Sequence, residues 1–379
     1  MKIIPVLSSL LFFILLMSCQ NEDKNSAIHL TPSGKYIKLP LDNNTPVQSD
    51  GVQYYHGKNP LLFNLNWAKN SIQIYDINSQ SKIKDIEFST EGPDGVGYVF
   101  GIYVHNLDSI FLFNQGIGQM SLADTSGRVY SKIKYKLPEK YTPAFVHNAY
   151  FLSNPILIGD KLIVKTHFHG QVTEVKNNEI SKKELMYAID LNTGTTQFLG
   201  LKYPKDYLID GSKYFEPSIS AANGKFVVSY FGDHNVYYTD MMDSTLISKS
   251  GKSLNLGGEL AILSNDADPM ALRKYAYASP HYETIVHDPF RKVYLRFAFH
   301  QYELDPNVQI HDLRNYSGPF SIQIFDEELN KLSEKSFEKN TYHPFDFFVA
   351  KEGLYLSINH PLNPEINEDI LAFELIQFN

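Results

Sequence analysis

The sequence predicts an all-β fold, a six-bladed β-propeller, from three observations. From Tyr36 onward, short β-like runs alternate with turn signals, and helical periodicity is scarce. Aromatic residues reach 13%, with 25 Tyr and 25 Phe, and rings pack well on a pleated surface. A module also repeats. Pro60-Leu-Leu-Phe-Asn-Leu65 is followed by Ser71-Ile-Gln-Ile-Tyr-Asp76, a turn, and Lys82 to Phe88; a near copy runs Ser321-Ile-Gln-Ile-Phe-Asp326, a turn, and Lys331 to Phe337. Tyr187-Ala-Ile-Asp190-Leu-Asn-Thr-Gly194 is a third echo. Adjacent strands ending in Asp, then a turn and an outer strand, form a blade pattern, and such repeats stack.

The blades follow in order: 52–88, 99–135, 153–200, 215–250, 282–337 and 345–378. From the second blade on, the inner hairpins turn at Leu107-Asp108, Gly159-Asp160, Asn223-Gly224, Asp288-Pro289 and Glu352-Gly353. The sixth blade holds three strands, and Lys35 to Leu39 supplies its fourth, closing the ring and removing a free edge. A pair of β-sandwiches is the rival arrangement. The repeated pattern, and a length that propellers reach as one unit, favour the propeller. Two segments exceed a plain blade. In Leu254 to Ser279, Asp268-Pro269 reads as an N-cap and first helical position. Gln301 to Pro319 is a polar loop inside blade five.

Before the propeller, 1–18 reads as a lipoprotein signal peptide and 19–34 as a lipidated flexible tether, leaving 35–379 for the propeller. Lys2 is followed by a short apolar run, and Leu16-Met17-Ser18-Cys19 supplies a lipobox-like ending on the chain's one cysteine. The expectation is lipidation at Cys19 and an outer-membrane anchor, periplasmic or surface-exposed, with the lipid as the membrane contact. The formal charge of −8 becomes −9 without Lys2, which argues against nucleic acid. With no second cysteine, stability rests on packing.

In a propeller the loop after each second strand shares a face with the inter-blade connections. One step past each second strand stand Asn66, Asn114, His167, His234, His300 and His360. Trp67 follows Asn66, and the inter-blade connections add His281 and His343. One end of the channel is thus expected to be rich in Asn, His and Tyr, suited to a small polar ligand or glycan. The same residues could instead cap blade ends. Four arginines (Arg273, Arg291, Arg296 and Arg314) fall in blade five and its flanks; together they could clamp a carboxylate or sulfate, or pair with the protein's own carboxylates. No tight metal-ligand spacing and no Gly-x-Ser-x-Gly elbow occurs, and no cofactor is expected. Gly92-Pro93-Asp94-Gly95-Val96-Gly97 lacks the Walker lysine and reads as a turn between blades one and two.

Glu91-Gly92-Pro93-Asp94-Gly95, Ser279-Pro-His-Tyr-Glu-Thr-Ile-Val-His-Asp-Pro-Phe-Arg291 with Tyr294-Leu-Arg296, and Asn66-Trp67 carry a resemblance over most of the chain. The sequence resembles the uncharacterised six-bladed propeller lipoproteins of gut and environmental bacteria, a domain-of-unknown-function family. That resemblance implies the fold and the envelope location and assigns no catalytic residue. The expected function is a ligand-binding or interaction propeller, monomeric, using one face of the channel, with an envelope protein as the other kind of partner. The alternative is a lyase or hydrolase with a histidine base and Arg296 stabilising an anion.

Overall fold

The computed structural model describes residues 28–379 apart from 242, 244, 306 and 310. Cys19 and the signal segment lie outside the described residues. Six four-stranded antiparallel sheets form the ring. Blade one is β2 (Val52–Tyr55), β3 (Leu61–Asn66), β4 (Ser71–Asp76) and β5 (Ser81–Glu87). Blade two is β6 (Gly101–Asn106), β7 (Ser109–Phe113), β8 (Gln119–Ala123) and β9 (Val129–Lys134). Blade three is β10 (Ile156–Ile158), β11 (Lys161–Lys165), β12 (Met186–Asp190) and β13 (Thr196–Phe198), with the short α1 (Asn177–Ile180) between β11 and β12. Blade four is β14 (Pro217–Ala222), β15 (Lys225–Tyr230), β16 (Asn235–Asp240) and β17 (Ile247–Ser250). After α2 (Pro269–Ala278), blade five is β18 (His281–Asp288), β19 (Val293–Phe299), β20 (Phe320–Phe325) and β21 (Lys331–Phe337). Blade six joins β22 (His343–Ala350), β23 (Gly353–Ser357) and β24 (Ile370–Phe378) to the N-terminal β1 (Leu30–Pro40).

The expected six blades and the closing strand are all present. β1 starts at Leu30, earlier than Lys35, because the register shifts between Pro32 and Tyr36 and a bulge hides the alternation there. The second and third strands of each blade are covered on both faces, so β3, β19 and β20 are buried throughout and read as apolar runs. The repeated terminal Asp has a local cause. Asp76, Asp190 and Asp326 each accept backbone N–H groups from the following turn, of Ser79, of Asn192 and Thr193, and of Asn330. Asp268 caps α2 by accepting the Ala271 N–H at 2.7 Å, as its sequence indicates.

The core lies between blades, with apolar clusters at all six interfaces. The cluster between blades four and five is the smallest: Val227, Val236, Ile285, Tyr294, Phe325 and Leu329. The ring has two faces, one carrying the inner hairpin turns and one carrying the connections between blades. Pairing of Leu30 with Phe378, and of Leu354 with Ile376 beside the Gly353 turn, places the start of β1 on the hairpin face. Pairing of Pro40 with Ile370 places its end on the connection face.

The channel is not an open tube on the connection face. The link between blades two and three turns inward and crosses the mouth. Asn148 bridges to Gly51, and its amide side chain bonds the N–H and C=O of Ile102 on β6. The Phe151 N–H meets Glu283 and the Leu152 N–H meets Thr284, both on β18. Leu152 O accepts Ser218 Oγ and the Ile219 N–H on β14. The segment is thereby pinned to the innermost strands of blades one, two, four and five. Its close approach requires glycine at Gly101, where an added Cβ would lie 2.0 Å from Val146 O. Gly101→Ala is expected to displace the plug and cost about 3 kcal/mol. Gly258→Ala, at a position with open space around it, is the control. Thermal unfolding of the pair checks this, and equal melting temperatures would contradict the plug.

Candidate functional site

Rings of the plug and its neighbours form a half-buried aromatic cluster, the basin, at the mouth. Trp67, just past β3, stacks on Phe100 at 5.1 Å with an interplanar angle of 15°, and its Nε1 donates to Phe100 O at 3.1 Å. From the plug, Phe145 stacks on His167 at 3.8 Å, and Tyr150 lies 4.1 Å from His147. Arg314, from the long loop of blade five, reaches across. Its guanidinium lies 5.8 Å from the Trp67 ring centroid and 5.3 Å from that of Tyr150.

Beneath these rings is a buried charged group. Lys165 Nζ lies 2.5 Å from Glu216 Oε1 and also donates to the carbonyls of Phe151 and Pro217. His167 Nε2 lies 2.8 Å from Glu216 Oε2. Burial alone would raise the Glu216 carboxyl, but His167 and Lys165 outweigh it and hold it down at about 2. Asp50 accepts the Trp67 N–H at 2.8 Å, and burial raises its carboxyl. His147 is 4% exposed, its ring lies edge-on to Phe100 and Phe145, and neither ring nitrogen has a hydrogen-bond partner. Burial, and next the Lys165 charge, push its pKa well below the ordinary value, so the ring is neutral with one donor and one acceptor uncommitted.

Of the residues selected from sequence, the structure brings Trp67 and His167 into this basin, with Arg314 from the arginine group. The others do not form one ring. Asn66 Nδ2 donates to Asn44 O, and Asn114 accepts the Gly116 N–H, so both hold loops. His234 bonds Tyr282 Oη and Gly258 O, lining a separate groove with Asp210 and Lys213. His281 is sandwiched between Phe231 at 4.4 Å and Phe299 at 4.9 Å, and burial lowers it to about 4. His300 meets Ser321 Oγ at 3.2 Å. His343 lies against Asp346 at 3.0 Å, and His360 bonds Ser317 O and the Leu362 N–H.

Arg296 corrects the anion-stabilising expectation. All five of its N–H donors are taken: Ser229 Oγ and the carbonyls of Asp233, His234, Asn235 and Gly251. The Tyr282 ring lies 3.5 Å from its Cζ. It fastens blade four to blade five beside the smallest apolar cluster and has no donor left for a ligand.

Phe100, Phe145, His147, Tyr150, Lys165, Glu216 and Asp50 were not selected from sequence. One signal was readable. Tyr141-Thr-Pro-Ala-Phe-Val-His-Asn-Ala-Tyr-Phe-Leu152 is too long and too apolar for a turn between blades. Among the described residues, no group of three or more His, Cys, Asp or Glu is arranged to hold a metal ion.

The fold and the mouth define the class: a six-bladed β-propeller with a plugged channel. The chain belongs to the family described as Domain of unknown function (DUF4221), which matches residues 35–336. It is similar to the crystal structure of a member of that family from Bacteroides vulgatus, with TM-score 0.82 and 22% identity, covering 94% of this chain and 99% of that one. A Bacteroides fragilis protein named as a candidate exported protein aligns with TM-score 0.53 and 12% identity, over 94% of this chain and 97% of that one. A comparison with curated proteins found no match.

Proposed function

We propose that the chain is a ligand-binding propeller of the cell envelope, and that its ligand, a small polar molecule or glycan, sits on the plugged mouth. His147 carries this reading: a buried, neutral imidazole set among rings, with neither nitrogen bonded to a protein group, is open to a hydrogen bond from an incoming group. Trp67, Phe100, Phe145 and Tyr150 supply flat apolar area, while His167 and Arg314 add polar edges. Thermal-shift screening of the full chain in detergent, against glycans and small acids, tests it. A specific, concentration-dependent rise supports the reading, because a ligand that binds the native state stabilises it. A flat response across the panel moves the function to a protein partner.

One observation favours a second reading. Glu216 holds His167 as a carboxylate holds a general base, the arrangement a lyase or hydrolase uses. Turnover of a bound ligand, lost in His167→Gln while binding persists, would decide for the enzyme.

Export and anchoring through Cys19 belong to the same proposal, and the name of the Bacteroides fragilis relative is consistent with export. No described helix is long and apolar enough to cross a membrane. The start of β1 on the hairpin face, opposite the plugged mouth, supports a mouth turned away from the bilayer if Cys19 carries the lipid. Palmitate labelling of the wild type, and its loss in Cys19→Ser, is the expected result; labelling of the variant would contradict lipidation there.

A further inference from the structure

We infer that the ligand of the plugged mouth carries a carboxylate, received by Arg314, on a flat ring that packs against Trp67. The inference rests on the ligand-binding reading above and adds the chemical class. Arg314 is half-buried and held by two ring faces, Trp67 and Tyr150, yet no carboxylate lies within ion-pairing distance of it among the described residues. The other cationic group of the basin is committed. Lys165 is buried against Glu216 and two carbonyls, and His167 leans on the same carboxylate. Asp50 engages the Trp67 N–H, and Asp346 engages the Ser49 N–H with His343 beside it. Among the described residues Arg314 is therefore the cation of the basin that makes no salt bridge, with the Asp50 carboxyl acting on it only through space.

The guanidinium lies within cation–π range of both rings and interacts with the Tyr150 hydroxyl, and with no salt bridge made its remaining N–H donors suit planar, bidentate capture of a carboxylate. Ring faces hold it there at little cost in side-chain freedom, so capture needs small further ordering. A second observation points to the same place. His147, among the nine-tenths-buried side chains, lies beneath Tyr150 with both nitrogens unpartnered, within electrostatic reach of Arg314. A bound ring would rest on the Trp67–Phe100 stack, its carboxylate on Arg314 and a hydroxyl or ring heteroatom on His147.

The shared chemistry, a ring-borne carboxylate, can come from an acidic sugar or an aromatic acid. The test is calorimetric titration of the full chain in detergent with two matched pairs: glucuronate against glucose, and benzoate against benzyl alcohol. The expected result is that one acid binds at least about tenfold tighter than its neutral partner, and that Arg314→Gln removes the preference. The sugar pair and the aromatic pair tell the two sources apart. Equal affinity of acid and neutral partner, a preference surviving Arg314→Gln, or no binding of any probe would overturn the carboxylate inference. Failure of the site itself reads differently: a probe binds, and its affinity is unchanged in Trp67→Ala. An unchanged melting temperature of Arg314→Gln without ligand separates lost recognition from lost folding.

Discussion

Arg296→Met is expected to destabilise the propeller by about 4 kcal/mol, among the largest effects of any single side chain here. The side chain is 0% exposed and its five donors end on Ser229 and four backbone carbonyls of blade four and its exit. Burial lowers its pKa to about 10, so it stays charged at neutral pH. Methionine matches much of the volume but strands those carbonyls out of water, and an orphaned buried acceptor costs about 1–3 kcal/mol. The site lies where the apolar cluster is smallest, so packing does not compensate. Arg296→Lys is expected to recover part of the loss, since an ammonium offers three donors where five are used. Urea denaturation of the three proteins checks the order. A methionine variant within about 1 kcal/mol of wild type would contradict the fastening role.

Acidification is the second large effect. His147, His281 and His360 are buried, and burial leads the lowering in each, to about 4 for His281 and His360. A histidine with a depressed folded pKa contributes stability present above its unfolded value of 6.5 and lost as pH falls toward the folded value. Glu283 acts in the opposite sense. Burial raises it to about 7, so between 4.5 and 7 the native state holds a proton that the unfolded state lacks. His234, His287 and His300, also lowered by burial, act in the same sense as these three, and Asp50, raised by burial, acts with Glu283, so histidines outnumber carboxyls and the unfolded chain is the richer in protons in this window. Stability is therefore expected to fall on acidification from pH 6.5 to 4.5, by about 1.4 kcal/mol per pH unit for each net proton. Glu216, held at about 2, adds its loss below 4.5. Denaturation midpoints at pH 7, 6 and 5 test this, and a flat profile would show that these imidazoles reach solvent.

The ring of blades was legible because its causes are local. Doubly covered strands are apolar runs, and an Asp at the end of a strand closes the next turn whatever lies elsewhere. The start of β1 was not, since Pro32 and Gly34 sit in a bulge that breaks the alternation. The candidate site was half legible. Trp67 and His167 follow second strands and do reach the mouth. His234 and His360 sit further along their loops, where counting from a strand end no longer fixes direction, and both turn to nearby backbone. The plug is a product of distance along the chain: Phe151 meets Glu283, and Asn148 meets Gly51. No local pattern announces such pairings, although Gly51 and Gly101 mark where the segment passes, since a Cβ on either would clash with Asn148 or Val146.

The central claim is that the plugged mouth binds the ligand, and Trp67 reports on it directly because it is the chain's one tryptophan. The measurement is its fluorescence during titration with whichever probe raises the melting temperature. A saturable change in emission, with a midpoint matching the thermal shift and, for an acidic probe, shifted to higher concentration in Arg314→Gln, is the predicted result. A probe that stabilises the fold while Trp67 emission stays unmoved would place the ligand elsewhere and contradict the account.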